Sequence, residues 1–169
     1  MVKRIQILVG MLFLASLIIT GCESTRETKL ERNKELVRRV LEEVWSQGNH
    51  EIIDELHSAD FVRHSLRDDS ETKKGLDILR DRIHNHRKAF PDWTEKIKLI
   101  VAEGDLVVVH FTSTGTNKGS FQGNPATGTK IQANQTSIYR IVDAKIVEQW
   151  YLPDLLSIHQ QLGLISQSK

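Results

Sequence analysis

Cysteine occurs once in this 169-residue chain, at Cys22, and proline three times. A single thiol cannot close an internal disulfide, and it leaves no CxxC pair for zinc or redox chemistry. Neither sign of charge dominates: 23 Lys and Arg stand against 22 Asp and Glu, which argues against an acidic disordered tail and a polybasic nucleic-acid binder. The nucleotide fingerprints G-x-G-x-x-G and G-x-x-x-x-G-K-[ST] are absent. So is the G-x-S-x-G elbow of a serine nucleophile. No metal site is expected either. His84 and His86, two apart on a helix, point to nearly opposite sides, and no helix carries His-x-x-x-His or Glu-x-x-His. Repeats, low-complexity stretches and interdomain linkers are also missing, so the length implies one domain.

What is present begins at the N-terminus. Lys3 and Arg4 precede an almost unbroken apolar run from Ile5 to Ile19, about 15 residues long and short of the ~20 that a spanning helix needs. The run closes with Ile19-Thr20-Gly21-Cys22, which resembles the lipobox of bacterial lipoproteins. The resemblance implies a signal peptide over residues 1–21, cleavage before Cys22, lipid on its sulfur and new amino group, and a membrane-anchored protein facing outward in the cell envelope. Such cleavage would leave 148 residues with 21 Lys and Arg against 22 Asp and Glu, because Lys3 and Arg4 go with the signal. Residues 22–32 are polar enough for a tether. Ser24-x-x-Glu27 and Thr28-x-x-Glu31 each match a capping box leading into a helix.

Periodicity organises the rest into one domain over residues 33–165, with a tail at 166–169. Leu36, Val37, Val40, Leu41, Val44 and Trp45 predict an amphipathic helix stopped at Gln47-Gly48. Asn49 is a candidate N-cap for a short helix with Ile52, Ile53 and Leu56, and Asp60–His64 reads as extended. Ser65 to Ser70 reads as a loop. A third helix from about Lys73 carries Leu76, Leu79, Ile83, His86 and Phe90 on one stripe, and Pro91 ends it. From Trp93 the period changes to 2. Ile97, Leu99 and Val101 share a face, and strands follow over Leu106–Thr116, Lys130–Ile141 and Lys145–Trp150. A last helical segment spans Asp154–Leu162. Helices first and hairpin-linked strands afterwards mean α+β, a curved antiparallel sheet wrapped around the N-terminal helices as a cone with an internal pocket.

The polar residues on otherwise apolar stripes are the candidates for chemistry. His64 ends the Phe61-Val62 segment on the face of Val62, and His110 shares a face with Val108, Thr112 and Thr114. For each the plain alternative is a satisfied structural imidazole. Glu148 and Trp150 share a face of the last strand. Asp154 is an N-cap candidate, and its catalytic alternative is a carboxylate at a pocket mouth beside Trp150 and Tyr151.

The series Ala89-Phe90-Pro91-Asp92, Ala102-Glu103-Gly104-Asp105, Thr114-Gly115-Thr116, Gly119 to Gly128, Ile138-Tyr139-Arg140-Ile141, Lys145 to Trp150 and Gln160-Gln161-Leu162-Gly163 resembles the SnoaL-like polyketide cyclase, or ester cyclase, family. That family belongs to the nuclear-transport-factor-2-like superfamily of cystatin-like cones. The resemblance implies a cofactor-free pocket in which an acidic residue shuttles a proton during ring closure. The family's Trp-Asp pair falls on Trp150-Tyr151 here, and its strand histidine falls near Ser137. Tyr151 is too weak an acid to replace a carboxylate, so Asp154 would serve from a shifted position, with His64, His110 and Tyr151 orienting the substrate. Trp150, Phe90, Trp93, Phe121 and Ser137 are expected to line the pocket. Two readings follow: a cyclase- or isomerase-type enzyme acting on a small, largely apolar molecule, or a lipid-anchored domain that binds such a molecule without turnover. A homodimer formed through the sheet is a further expectation.

Overall fold

The computed structural model describes residues 26–66 and 72–166. The signal-like segment, Cys22, and most of the loop expected after Ser65 lie outside the described residues. The first helix, α1, covers residues 26–39 and continues as a π-helical turn over Val40–Ser46. Residues 26–32, expected as tether, are thus already helical; strong helix formers fill them, and Glu31 pairs with Lys34 at 2.6 Å. Val37, Val40, Leu41 and Val44 form the buried stripe of α1. The widened last turn lets Ser46 Oγ donate to Leu41 O at 2.7 Å and accept from Glu95 N at 2.9 Å, which ties the helix end to the start of a strand. Gly48, at φ 75°, then reverses the chain.

The short α2 (Ile53–Leu56) leads directly into β1 (His57–Ser65). Lys73–Lys74, where the third helix was expected to begin, instead form β2, a two-residue edge strand on β1. Helix α3 is Leu76–Ala89; Leu76, Leu79 and Ile83 are buried and His86 continues their stripe. After it come β3 (Thr94–Glu103), β4 (Leu106–Thr116), β5 (Lys130–Val142), β6 (Lys145–Pro153) and α4 (Leu155–Gln161). Among the described residues no helix is long and apolar enough to cross a membrane.

The six strands form one curved sheet in the order β2-β1-β6-β5-β4-β3. This is the expected α+β arrangement with one difference: β1 runs parallel to β6, because these neighbours are joined through the whole domain and not by a hairpin. The concave face takes Val107, Val109 and Phe111 of β4, and Tyr139 and Ile141 of β5, and packs them against α1, α2 and α3. A second cluster, built on Phe90, Trp93, Ile131, Ala133, Ile158 and Leu162, fills the end of the cone closed by α4. A bulge between Ile97 and Leu99 breaks the expected alternation in β3. Leu99 and Val101 therefore face outward, at 59% and 48% exposure, while Ile100 and Ala102 pack on the core.

Candidate functional site

Between α3, the concave face of the sheet and α4 the core is interrupted by two adjoining chambers of about 190 and 50 Å³. Arg63, Arg82, His86, Trp93 and Tyr151 line both. The outer chamber adds the apolar Phe121, Leu155 and Ile158, and the inner one adds Glu95, Phe111, Ser137, Tyr139 and Gln149. Strand period explains this composition. Phe61, Arg63 and Ser65 of β1 alternate inward, as do Ala133, Gln135, Ser137 and Tyr139 of β5, so polar groups enter the core in register. Trp93 packs closely on β4 because Gly115 carries no side chain; a Cβ there would meet the indole at 2.8 Å.

Most polar groups of this wall are tied to one another. Tyr151 Oη donates to Gln135 Oε1, and Gln135 Nε2 donates to Ser113 Oγ at 2.6 Å. Gln149 Nε2 donates to Tyr139 Oη at 3.0 Å and to Ser137 Oγ at 3.3 Å. Burial holds both phenols above the ordinary tyrosine value, and nearby Glu95 adds to the rise. The Arg63 guanidinium lies over the Tyr151 ring, 4.6 Å from its centroid.

Two further titratable groups on the wall are shifted, with no ion pair among the described residues. The Glu95 carboxyl is half-buried and accepts one hydrogen bond, from Trp93 Nε1 at 3.1 Å; desolvation raises its pKa to about 8. His86 is surrounded by rings, with Trp93 edge-on at 4.3 Å and Phe90 at 5.2 Å. Burial, helped by the charges of Arg82 and Arg87, lowers its pKa to about 4, so it is neutral at physiological pH. Its Nε2 has no hydrogen-bond partner among the described residues. Arg87 fixes this corner by donating from Nη1 to Ser46 O at 2.9 Å and Trp93 O at 3.0 Å.

The residues expected from sequence divide between the two faces of the sheet. Tyr151, Ser137, Trp93 and Phe121 line the chambers. Phe90 is fully buried beneath them, against His86, Trp93 and Phe121. His64, His110, Trp150 and Asp154 are not among the residues that line these two chambers. With Arg63 and Ser65 inward, His64 must point outward, where it stacks on Trp150 at 5.0 Å with Nε2 3.5 Å from Glu148. His110 faces outward between Val109 and Phe111, and its Nδ1 lies 3.1 Å from Thr136 Oγ1. Asp154 Oδ1 accepts from Ser157 N at 3.0 Å and caps α4. His110 and Asp154 both line a groove on the outer face, with Asn134, Thr136 and Leu152.

Sequence reasoning missed Arg63, Arg82, Glu95, Gln135 and Gln149 as wall residues. The signal for Glu95 was available: Trp93, Glu95 and Ile97 alternate along β3, so a carboxyl stands between two partly or fully buried apolar neighbours. No group of His, Cys, Asp and Glu among the described residues is arranged to hold a metal ion.

The fold and the site can be set beside known proteins. The sequence profile of SnoaL-like polyketide cyclases matches residues 35–162. The chain is similar to the aklanonic acid methyl ester cyclase of Streptomyces peucetius, with 25% identity over 130 residues covering 76% of this chain and 89% of the relative. AclR, a candidate hydroxylase of Streptomyces galilaeus, superposes with a TM-score of 0.73 at 26% identity over 83% of this chain and 86% of its own. A candidate polyketide cyclase from Acidithiobacillus ferrooxidans gives a TM-score of 0.71 at 30% identity, covering 79% of this chain and 95% of its own. A profile match over residues 35–162, on a cone of the same architecture, assigns the chain to the SnoaL-like polyketide cyclase family.

Proposed function

We propose that the protein is a cofactor-free enzyme of the cyclase or isomerase type, acting by general acid/base catalysis on one small, largely apolar molecule. The observation that carries this reading is the pair of chambers: an outer part in which Phe121, Leu155 and Ile158 stand among Arg63, Arg82 and Gln135, leading to an inner wall of phenol, amide, hydroxyl and carboxyl groups. Such a wall orients polar atoms of a ligand whose body packs on Phe121, Leu155 and Ile158. The volumes, about 190 and 50 Å³, suit a molecule smaller than a drug-sized ligand, for which about 300–1,000 Å³ is usual. The relative named as a cyclase lends the reaction class, and its own substrate is not carried over.

Native mass spectrometry of protein purified from its host should reveal a copurifying small molecule. Incubation of that molecule with fresh protein should convert it to an isomer of equal mass. A second reading, binding without turnover, is favoured by Tyr151 standing where the resemblance places a carboxylate. Release of the molecule unchanged would support it against the enzyme.

We further propose that Cys22 is lipidated after removal of residues 1–21 and anchors the domain to the outer side of a bacterial membrane. The short apolar run ending in Ile19-Thr20-Gly21-Cys22 supports this. Cys22→Ser should move the protein from the membrane to the soluble fraction and leave its N-terminal peptide without acyl mass.

A further inference from the structure

Asp154, the carboxylate expected to carry the proton, caps α4 and is not among the residues that line the chambers. Resting on the enzymatic reading, we propose that Glu95 is the catalytic proton carrier, acting as a carboxylic acid on a carbonyl oxygen of an enolisable ketone held in the inner chamber.

The first argument is which groups have capacity left. Tyr151, Gln135, Tyr139, Ser137 and Gln149 spend hydrogen bonds on each other. Among the described residues the Glu95 carboxyl receives a single bond, at Oε1 from Trp93 Nε1, which leaves Oε2 without a donor there. The second argument is position. Glu95 is pinned by Ser46 Oγ at its own N–H and paired with Ser113 in the sheet, while Arg87 holds Trp93 O. A group so fixed meets a ligand with little reorganisation. The third is cost. An apolar residue would complete the Trp93–Ile97 stripe, whereas a carboxyl here is desolvated with no cation among the described residues paired to it. A locally unfavourable choice of this kind marks a site of use.

Four other elements present titratable or charged groups to this chamber: Arg63 from β1, Arg82 and His86 from α3, Tyr139 from β5 and Tyr151 from β6. None forms an ion pair with Glu95, and desolvation dominates its titration, raising it to about 8. The carboxyl therefore carries its proton at neutral pH and can give it up within the working range. In a ring closure, the enol carbon of the substrate bonds to its carbonyl carbon, and the carbonyl oxygen takes the proton of Glu95. The enol hydroxyl, becoming a carbonyl, returns its proton to the Glu95 carboxylate. In keto–enol isomerisation the carbonyl oxygen takes the proton of Glu95 and the resulting carboxylate takes one from the α-carbon, so that in both reactions the residue ends as it began.

The test follows α-deuterium incorporation into a panel of small aryl and cyclic ketones in D₂O by proton NMR. Wild-type protein should exchange at least one of them, with a rate that falls above about pH 8 as the carboxyl ionises. Glu95→Gln should lower that rate by about 10²–10⁴-fold and abolish the alkaline limb. Glu95→Asp should restore part of it, and Asp154→Asn should match wild type. Exchange at the wild-type rate by folded Glu95→Gln overturns this assignment and leaves the enzymatic reading standing. Ketones that bind wild-type protein but never exchange count against the enzymatic reading, and the assignment falls with it. If Glu95→Gln does not fold, carboxyl-¹³C glutamate labelling decides. One glutamate titrating near pH 8 is expected, and all of them titrating below about pH 6 would overturn the proposal.

Discussion

The two faces of the same sheet carry similar residue types and treat them in opposite ways. On the convex face His64 stacks on Trp150, Arg140 bridges Glu148 at 2.7 Å and Asp105 at 2.8 Å, and His110 meets Thr136, with all of these polar residues partly exposed. On the concave face Glu95, His86, Tyr139 and Tyr151 sit among rings and amides. Water screens the outer ion pairs, so they contribute little. The inner set is desolvated, and burial moves each member away from its usual value. Desolvation here follows the phase of a strand more than the identity of a residue: one step along β1 separates Arg63 in the chamber from His64 outside it.

The contrast is broken most severely by emptying the concave side. Phe90 is fully buried and supports Trp93, Phe121 and His86 from below. Phe90→Ala should cost about 3–5 kcal/mol, read as a fall in urea midpoint, because the rings around it cannot close the gap. It should also disturb ligand binding by loosening the wall.

Next in size is the pH dependence of stability. Glu95 titrates near 8 in the folded chain and near about 4.3 when unfolded. Between those values the folded form keeps a proton that the unfolded form releases, so its contribution is complete below about pH 4.3 and lost as pH rises to 8. His86 and His57 have folded values of about 4, both lowered chiefly by burial. Their contribution is complete above about pH 6.5 and lost as pH falls towards 4. These three groups place the stability maximum near pH 6.5. Glu95→Gln should flatten the alkaline side, gaining about 2–4 kcal/mol over wild type at pH 8 in denaturant titrations. A variant with the wild-type slope would show that Glu95 is not desolvated.

How far the sequence carries this contrast depends on the element. Leu106–Thr116 was read with its observed bounds, and the α1 and α3 stripes held because apolar spacing of three and four residues has one reading. Strand phase was harder. In Val107-Val108-Val109 both faces are apolar, so alternation is visible and its direction is not; His110 followed the wrong face. Bulges at Ile97/Leu99 and Arg140/Ile141 reset the phase where local spacing shows no break. The parallel β1–β6 pair, which sends His64 and Trp150 out together, joins segments about 90 residues apart, and no local pattern encodes it.

Tyr151→Phe tests the concave wall at a smaller scale. It removes the hydroxyl that donates to Gln135 Oε1 and leaves that oxygen buried without this donor. A loss of about 1–3 kcal/mol is expected in thermal unfolding. Thr136→Val, which removes the convex-face partner of His110, should shift stability by less than about 0.5 kcal/mol. Equal effects would mean that the two faces are hydrated alike.

The smallest effects belong to the residues that the sequence favoured for catalysis. Asp154→Ala removes the acceptor for Ser157 N at the start of α4 and should cost about 1 kcal/mol, the usual worth of an N-cap. Asp154→Asn keeps that acceptor and should be nearly silent in thermal unfolding. The pair therefore separates capping from charge. If α4 matters only as a lid that places Leu155 and Ile158 on the chamber, Asp154→Ala should weaken ligand binding slightly through the frayed helix and Asp154→Asn should not. A large loss of turnover in Asp154→Asn, with stability unchanged, would instead return the proton chemistry to the outer groove that Asp154 and His110 line. The division of labour between the two faces would then be reversed.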